Sequence, residues 1–215
     1  MFIGPPGSGK GTQAVRVAEK LSIPHISTGD ILRAAVKAHS PLGRSVAETI
    51  AAGALVGDAI MTNLVRERLA SDDAARGFIL DGFPRTEAQA RSLDEMRPSA
   101  SFLVILIDVS DDAIVRRLSS RRVCDACAIT QSVAAGDKAD REACPYCGGN
   151  LVRRVDDEPD VVRRRLATYA AIAAPVLDFY RAPHRSRGFI AVDGSRHADA
   201  VTADILAFVS KRRGS

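Results

Sequence analysis

The sequence predicts an α/β fold: a parallel sheet with helices on both faces, carrying two insertions, one helical and one rich in cysteine. Three observations predict it. A glycine-rich loop, Gly4-Pro5-Pro6-Gly7-Ser8-Gly9-Lys10-Gly11-Thr12, stands between a short apolar start and a helical pattern. Further on, fully apolar runs alternate with helical periodicity, as expected of parallel strands covered on both faces. Near the middle, a polar stretch that holds every cysteine breaks this alternation.

The elements follow in order. Met1-Phe2-Ile3 is a very short strand, and a helix is expected over Lys10 to Leu21. A second helix starts near Thr28 or Asp30, and Ser40-Pro41 interrupts it. Helices are expected over Leu42 to Ala52 and Asp58 to Ala70. Gly77 to Leu80 reads as a strand ending at Asp81. Phe102 to Ile107 is a strand buried on both faces, and a helix follows over Asp111 to Ser119. Residues 121 to 156 show little helical period. A long helix runs from Pro159 to Tyr180, with a kink expected at Pro175. Phe189 to Val192 is the last strand and Ala198 to Lys211 the last helix.

The chain has 215 residues, 46% hydrophobic and 26% charged, which suits one globular domain with a full core. No apolar run reaches the length of a membrane span. The glycine loop begins at residue 4 and leaves no room for a leader, so a cytoplasmic location is expected. The net charge is +4, without a block of like charges, which gives little reason to expect nucleic acid as a partner. Nothing in the chain demands an oligomer, so a monomer is expected.

Gly4, Gly9 and Lys10 have the spacing of a phosphate-binding P-loop, and the fold becomes a P-loop three-layer one. Glycines let the backbone curl until successive amides face one centre. The following helix adds the positive end of its dipole. Lys10 supplies an ammonium for the β- and γ-phosphates of a nucleoside triphosphate. Gly11 departs from the pattern, which has a hydroxyl residue after the lysine; here the hydroxyl comes one later, at Thr12.

Cys124-x-x-Cys127 and Cys144-x-x-Cys147 are separated by sixteen residues. Two such knuckles suit four thiolates around a structural zinc. Disulfides are disfavoured in a chain without export signals. Four protein ligands close the site, so the metal stabilises rather than catalyses.

The loop together with Ile26-Ser27-Thr28-Gly29-Asp30 and Leu80-Asp81-Gly82-Phe83-Pro84-Arg85-Thr86 resembles the adenylate kinases. Arg121-Arg122, Arg154 with Asp156-Asp157, Arg163-Arg164-Arg165-Leu166 and Val192-Asp193-Gly194 follow in the family's order, so the resemblance covers nearly the whole chain. It implies transfer of a phosphoryl group from ATP to AMP, giving two ADP, with Mg2+ on the ATP. It implies that Gly7, Ser8, Gly9, Lys10, Gly11 and Thr12 hold the ATP phosphates, with Arg121 and Arg196 near the ATP base. Thr28, Arg33, Leu55, Val56, Gly82, Phe83, Pro84, Arg85 and Gln89 are the implied AMP residues. Arg85, Arg121, Arg154 and Arg165 join Lys10 around the transferring group, Arg154 and Arg165 also reaching AMP, and Asp81 holds Mg2+ through water. The implied division is a core of 1–26, 57–119 and 158–215, an AMP-binding insertion of 27–56 and a zinc lid of 120–157.

The lid departs from the family's zinc form. Ala128 stands where Gly often follows the second cysteine, Gln131 and Ser132 replace a Tyr-His pair, and residues 133 to 140 lack paired prolines. Other readings are a GTP-dependent AMP kinase, another nucleoside monophosphate kinase, or a zinc ribbon that binds RNA. The last is disfavoured because Tyr146 is the insertion's one aromatic.

Overall fold

The computed structural model describes residues 1–98, 102–133 and 143–213. The elements are β1 (Phe2–Ile3), α1 (Lys10–Leu21), β2 (His25–Ser27), α2 (Thr28–Lys37), α3 (Pro41–Ala51), α4 (Asp58–Leu69), β3 (Ile79–Asp81), α5 (Glu87–Met96), β4 (Leu103–Asp108), α6 (Asp111–Ser120), β5 (Arg121–Cys124), β6 (Thr130–Ser132), β7 (Leu151–Val152), α7 (Pro159–Arg181), β8 (Gly188–Asp193) and α8 (Ala198–Arg213).

The main sheet has the order β2-β3-β1-β4-β8 and every pairing in it is parallel. Short as it is, β1 is central, with Phe2 opposite both Asp81 and Ile105. Side chains alternate between faces along each strand. Ile3, Leu80 and Val104 enter one core layer with Val65 of α4, Leu93 of α5 and Tyr180 of α7. Phe2, Ile79, Ile105 and Ile107 enter the other with Val17 of α1, Leu118 of α6 and Ile205 of α8. These two buried layers are why the strands read as continuous apolar runs. The α-amino group of Met1 extends β1 by donating to the Leu103 carbonyl at 2.6 Å, and burial lowers its pKa to about 5.

Outside the cysteine-rich stretch, two of the strands and α-helices are absent from the sequence reading. The strand β2 is three residues long and polar at both ends, so it carries no periodic signal. The helix α5 buries only Gln89, Ala90 and Leu93. Its apolar stripe is too thin to stand out. The helix α7 is unbroken through Pro175. No helix among the described residues is long and apolar enough to cross a membrane.

Capping explains the start of three helices. Ser27 accepts from the Asp30 amide, Ser40 from the Gly43 amide at 3.0 Å, and Thr86 from the Gln89 amide at 3.2 Å. Pro41 at the first turn of α3 explains why Ser40-Pro41 ends one helix and begins another. The two helices meet so closely that a methyl at Gly43 would run into the Ala35 carbonyl. Residues 121–133 and 143–152 contribute a three-stranded antiparallel sheet, β6-β5-β7, in the stretch read as non-helical and zinc-ribbon-like. The expected lid also includes 134–142, which lie outside the described residues.

The contact between α2 and α3 yields a prediction. Gly43→Ala overpacks it and costs about 1–3 kcal/mol, measured as a lower denaturant midpoint for the variant.

Candidate active site

A cleft of about 980 Å3 opens at the C-terminal ends of the parallel strands. Ligands gather at that edge in open α/β sheets. The glycine loop forms its floor. Gly9 has a φ of 98° and caps α1 without a side chain, and no acidic residue sits in the helix's first turn. The first amides of α1 therefore face the cleft without a side-chain acceptor, as an anion site requires. Lys10 Nζ donates to the carbonyls of Gly4 at 2.8 Å and Pro5 at 2.7 Å. Burial lowers its pKa to about 8, against the pull of Asp81.

Asp81 ends β3 and lines the cleft beside the loop. A side chain at Gly11 would lie 3.4 Å from Asp81 Oδ2. Gly11 thus leaves open space in front of the carboxylate. A hard oxygen ligand at a phosphate site, with room for bound water, fits Mg2+. His25 Nε2 lies 3.4 Å from the same oxygen and is buried with no hydrogen-bond partner.

Lys10, Arg33, Arg85, Arg121, Arg154 and Arg165 all line the cleft. Two adjacent carboxylates hold three of them. Buried Asp157 takes Arg121 in a fork, with Nε to Oδ2 at 2.6 Å and a second bond from NH2. Asp156 takes Arg154 in another fork at 3.0 and 3.1 Å. Arg165 donates to the Asp156 carbonyl at 2.7 Å and lies 3.1 Å from its carboxylate. Burial pushes the Asp156 carboxyl up, but Arg154 and Arg165 outweigh burial and hold it at about 2. Burial lowers Arg165 to about 10; Asp156 opposes that shift, while Arg121 and Arg154 add to it. Arg163 is solvated beside Asp160, and Arg164 reaches the Ala52 carbonyl at 3.1 Å.

On the β2 side, Leu55, Gly82 and Pro84 line the cleft with Arg33 and Arg85. Arg85 Nε donates to the Gly82 carbonyl at 2.9 Å, and Arg33 pairs with Asp30. Thr28, Phe83 and Gln89 are almost wholly buried, with Val56 close to it; they lie in the wall rather than on its surface. Arg196 reaches the cleft from the turn after β8 and pairs with Asp204.

The four cysteine sulfurs lie within 4.8 Å of one another. Cys124 and Cys147 are 3.4 Å apart, and Cys127 and Cys144 3.6 Å. A disulfide would be about 2 Å. Zinc–sulfur bonds of about 2.3 Å set tetrahedral sulfurs about 3.8 Å apart, so this donor set fits zinc. The Cys127 amide donates to Cys124 Sγ and holds that thiol down at about 7, favouring the thiolate a metal needs. The knuckles match in their bonds: the Ala128 amide reaches the Cys124 carbonyl at 3.0 Å, and the Gly148 amide reaches that of Cys144 at 2.8 Å. They differ in residue. Both positions are left-handed, but one is alanine, with φ 59°, and the other glycine, with φ 75°.

Arg117 escapes the sequence reading. It lines the cleft, donating to the Gly194 carbonyl at 2.7 Å and approaching the Ser8 carbonyl at 3.4 Å. Its one sequence signal is position, four residues before Arg121 in a helix that ends at the cleft. The organising role of Asp156 and Asp157 also goes unread, because an acidic pair beside arginines looks like ordinary surface charge.

The lid yields two predictions. Metal analysis of reduced protein finds about one zinc per chain, and chelation lowers the melting midpoint. Ala128→Gly relieves the left-handed alanine and stabilises the lid by about 1 kcal/mol, visible as slower loss of zinc to a chelator.

Comparison with known proteins agrees with this geometry. The sequence model of the family described as "Adenylate kinase" matches residues 2–185. An adenylate kinase of Thermosipho africanus is 42% identical, covering 98% of this chain and 99% of the relative. One of Symbiobacterium thermophilum is 44% identical over 99% of both. One of Treponema denticola is 46% identical over 84% of this chain and 85% of its own. With the phosphate loop, the cationic cleft and a match over most of its length, the chain belongs to the adenylate kinase family.

Proposed function

We propose that the protein transfers the terminal phosphoryl group of ATP to AMP, giving two ADP. The observation that carries this is one cleft where a phosphate loop faces a second wall across a cluster of arginines. An acceptor phosphate is already an anion, so no general base is needed. One of its oxygens bonds to the γ-phosphorus as the bond to the bridging oxygen breaks, leaving ADP on both sides. Catalysis is then in-line positioning and neutralisation of charge.

In this reading Gly7 to Thr12 hold the donor phosphates, and Arg121 and Arg196 approach its base. Thr28, Arg33, Leu55, Val56, Gly82, Phe83, Pro84, Arg85 and Gln89 form the acceptor side, whose buried members read the base from within the wall. Lys10, Arg85, Arg121, Arg154 and Arg165 surround the transferring group. Asp81 would hold, through water, the Mg2+ that accompanies ATP, and that ion would supply neutralising charge at the donor phosphates. Residues 27–56 are the acceptor insertion and 120–157 the lid, on a core of 1–26, 57–119 and 158–215. The lid's zinc supplies stability that so small a unit cannot bury for itself. Closed over the donor, the lid keeps water from the reacting phosphorus. The chain is a monomer in the cytoplasm with no nucleic-acid or membrane partner.

A coupled assay of ADP formation from ATP and AMP tests the reaction; no turnover with AMP overturns it. Lys10→Ala abolishes turnover while the circular dichroism spectrum and melting transition stay. With its pKa near 8, Lys10 is mostly deprotonated above that pH. Phosphates raise it, so triphosphate binding takes up a proton and weakens as pH rises through 8. Calorimetry at pH 8.5 in buffers of different ionisation enthalpy measures that uptake.

A further inference from the structure

Gln89 is 1% exposed and both ends of its amide are already committed. Its Oε1 accepts from the Arg85 backbone amide at 2.8 Å, and its Nε2 donates to Asp58 Oδ1 at 2.8 Å. The other oxygen of Asp58 accepts from the Thr86 hydroxyl at 2.9 Å, and that hydroxyl's oxygen accepts from the Gln89 backbone N–H at 3.2 Å. Asp58 itself sits in the first turn of α4, where the helix dipole favours a negative charge.

A carboxamide is nearly symmetric in shape but not in chemistry. Turned by 180°, Gln89 would still fit its space, yet its donor and acceptor would exchange places. Here the partners forbid the turn. A backbone N–H only donates and a carboxylate only accepts. The turned amide would set N–H against N–H and oxygen against carboxylate, leaving buried groups unpaired. What remains for a ligand is one N–H and one lone pair, in a fixed order.

We propose that Asp58 is a positioning residue that sets acceptor-base specificity: with the Arg85 backbone amide at the other end it locks the Gln89 amide in one of its two orientations, and its charge-assisted bond is the stronger half of that lock, so that without it the amide turns. The proposal rests on the reading that Gln89 meets the acceptor base. Adenine offers a donor at its 6-amino group and an acceptor at N1. A 6-oxopurine of the same shape offers an acceptor at O6 and a donor at N1. An amide free to turn satisfies either; a locked amide satisfies one. A site built to hydrogen-bond a polar edge rejects the mismatched analogue because its own groups are left unpaired.

The test compares AMP with IMP, which differ at that edge. Asp58→Asn replaces an acceptor-only group with one that both donates and accepts, and Asp58→Ser does the same with a smaller side chain should the first variant melt early. The expected result is at least a tenfold fall in the ratio of kcat/KM for AMP over IMP, with the KM for ATP within about twofold of wild type. Loss of stability alone would not move that ratio selectively. Gln89→Leu is assayed alongside. If Gln89→Leu collapses the ratio and both Asp58 variants keep it, the lock is overturned and the acceptor site stands. If Gln89→Leu leaves both the AMP KM and the ratio unchanged, Gln89 does not meet the base, and the proposal falls with that reading.

Discussion

Cations that converge on one cleft repel one another, and this repulsion governs the cleft's architecture. Lys10, Arg33, Arg85, Arg121, Arg154 and Arg165 converge there. Asp156 and Asp157, neighbours on a single 3-10 turn, bind three of those arginines. Such buried pairs add little net stability, but losing one partner costs about 3–5 kcal/mol. The two carboxylates therefore serve position more than stability. They fix the guanidinium planes before any ligand arrives, so little reorganisation is left for the moment of transfer.

The sheet sets where this happens. Parallel strands place their C-terminal ends on one edge, and β1 and β3 lie side by side there, with Phe2 opposite Asp81. The glycine loop and the Asp81 carboxylate are thus neighbours by topology. The antiparallel sheet of β5, β6 and β7 brings Arg121 from the far side, and its first zinc knuckle touches the α2 end, where Lys37 donates to the Asp125 carbonyl at 2.6 Å.

Much of this was legible in the sequence because it rests on local chemistry. Glycine spacing and Lys10 gave the phosphate loop, apolar runs gave β3, β4 and β8, and paired Cys-x-x-Cys gave the zinc site. The unread parts depend on tertiary placement. The strand β2 is held by its ladder with β3 rather than by apolar alternation. In α5, two of the three buried residues are Gln89 and Ala90, so its stripe has little hydrophobic contrast. The strands of the lid are pinned by the knuckles, which no periodicity announces. Arg117 and Asp58 were invisible for another reason: each acts on groups 28 to 109 positions away in the chain.

Arg117 also fixes a distance. One guanidinium touches the Ser8 carbonyl, in the loop assigned to phosphates, and the Gly194 carbonyl, in the turn beside the residue assigned to the donor base. Tied through one rigid plane, the two ends of the donor site behave like the jaws of a caliper set to a single opening. Such a gauge measures the donor by length as well as by charge.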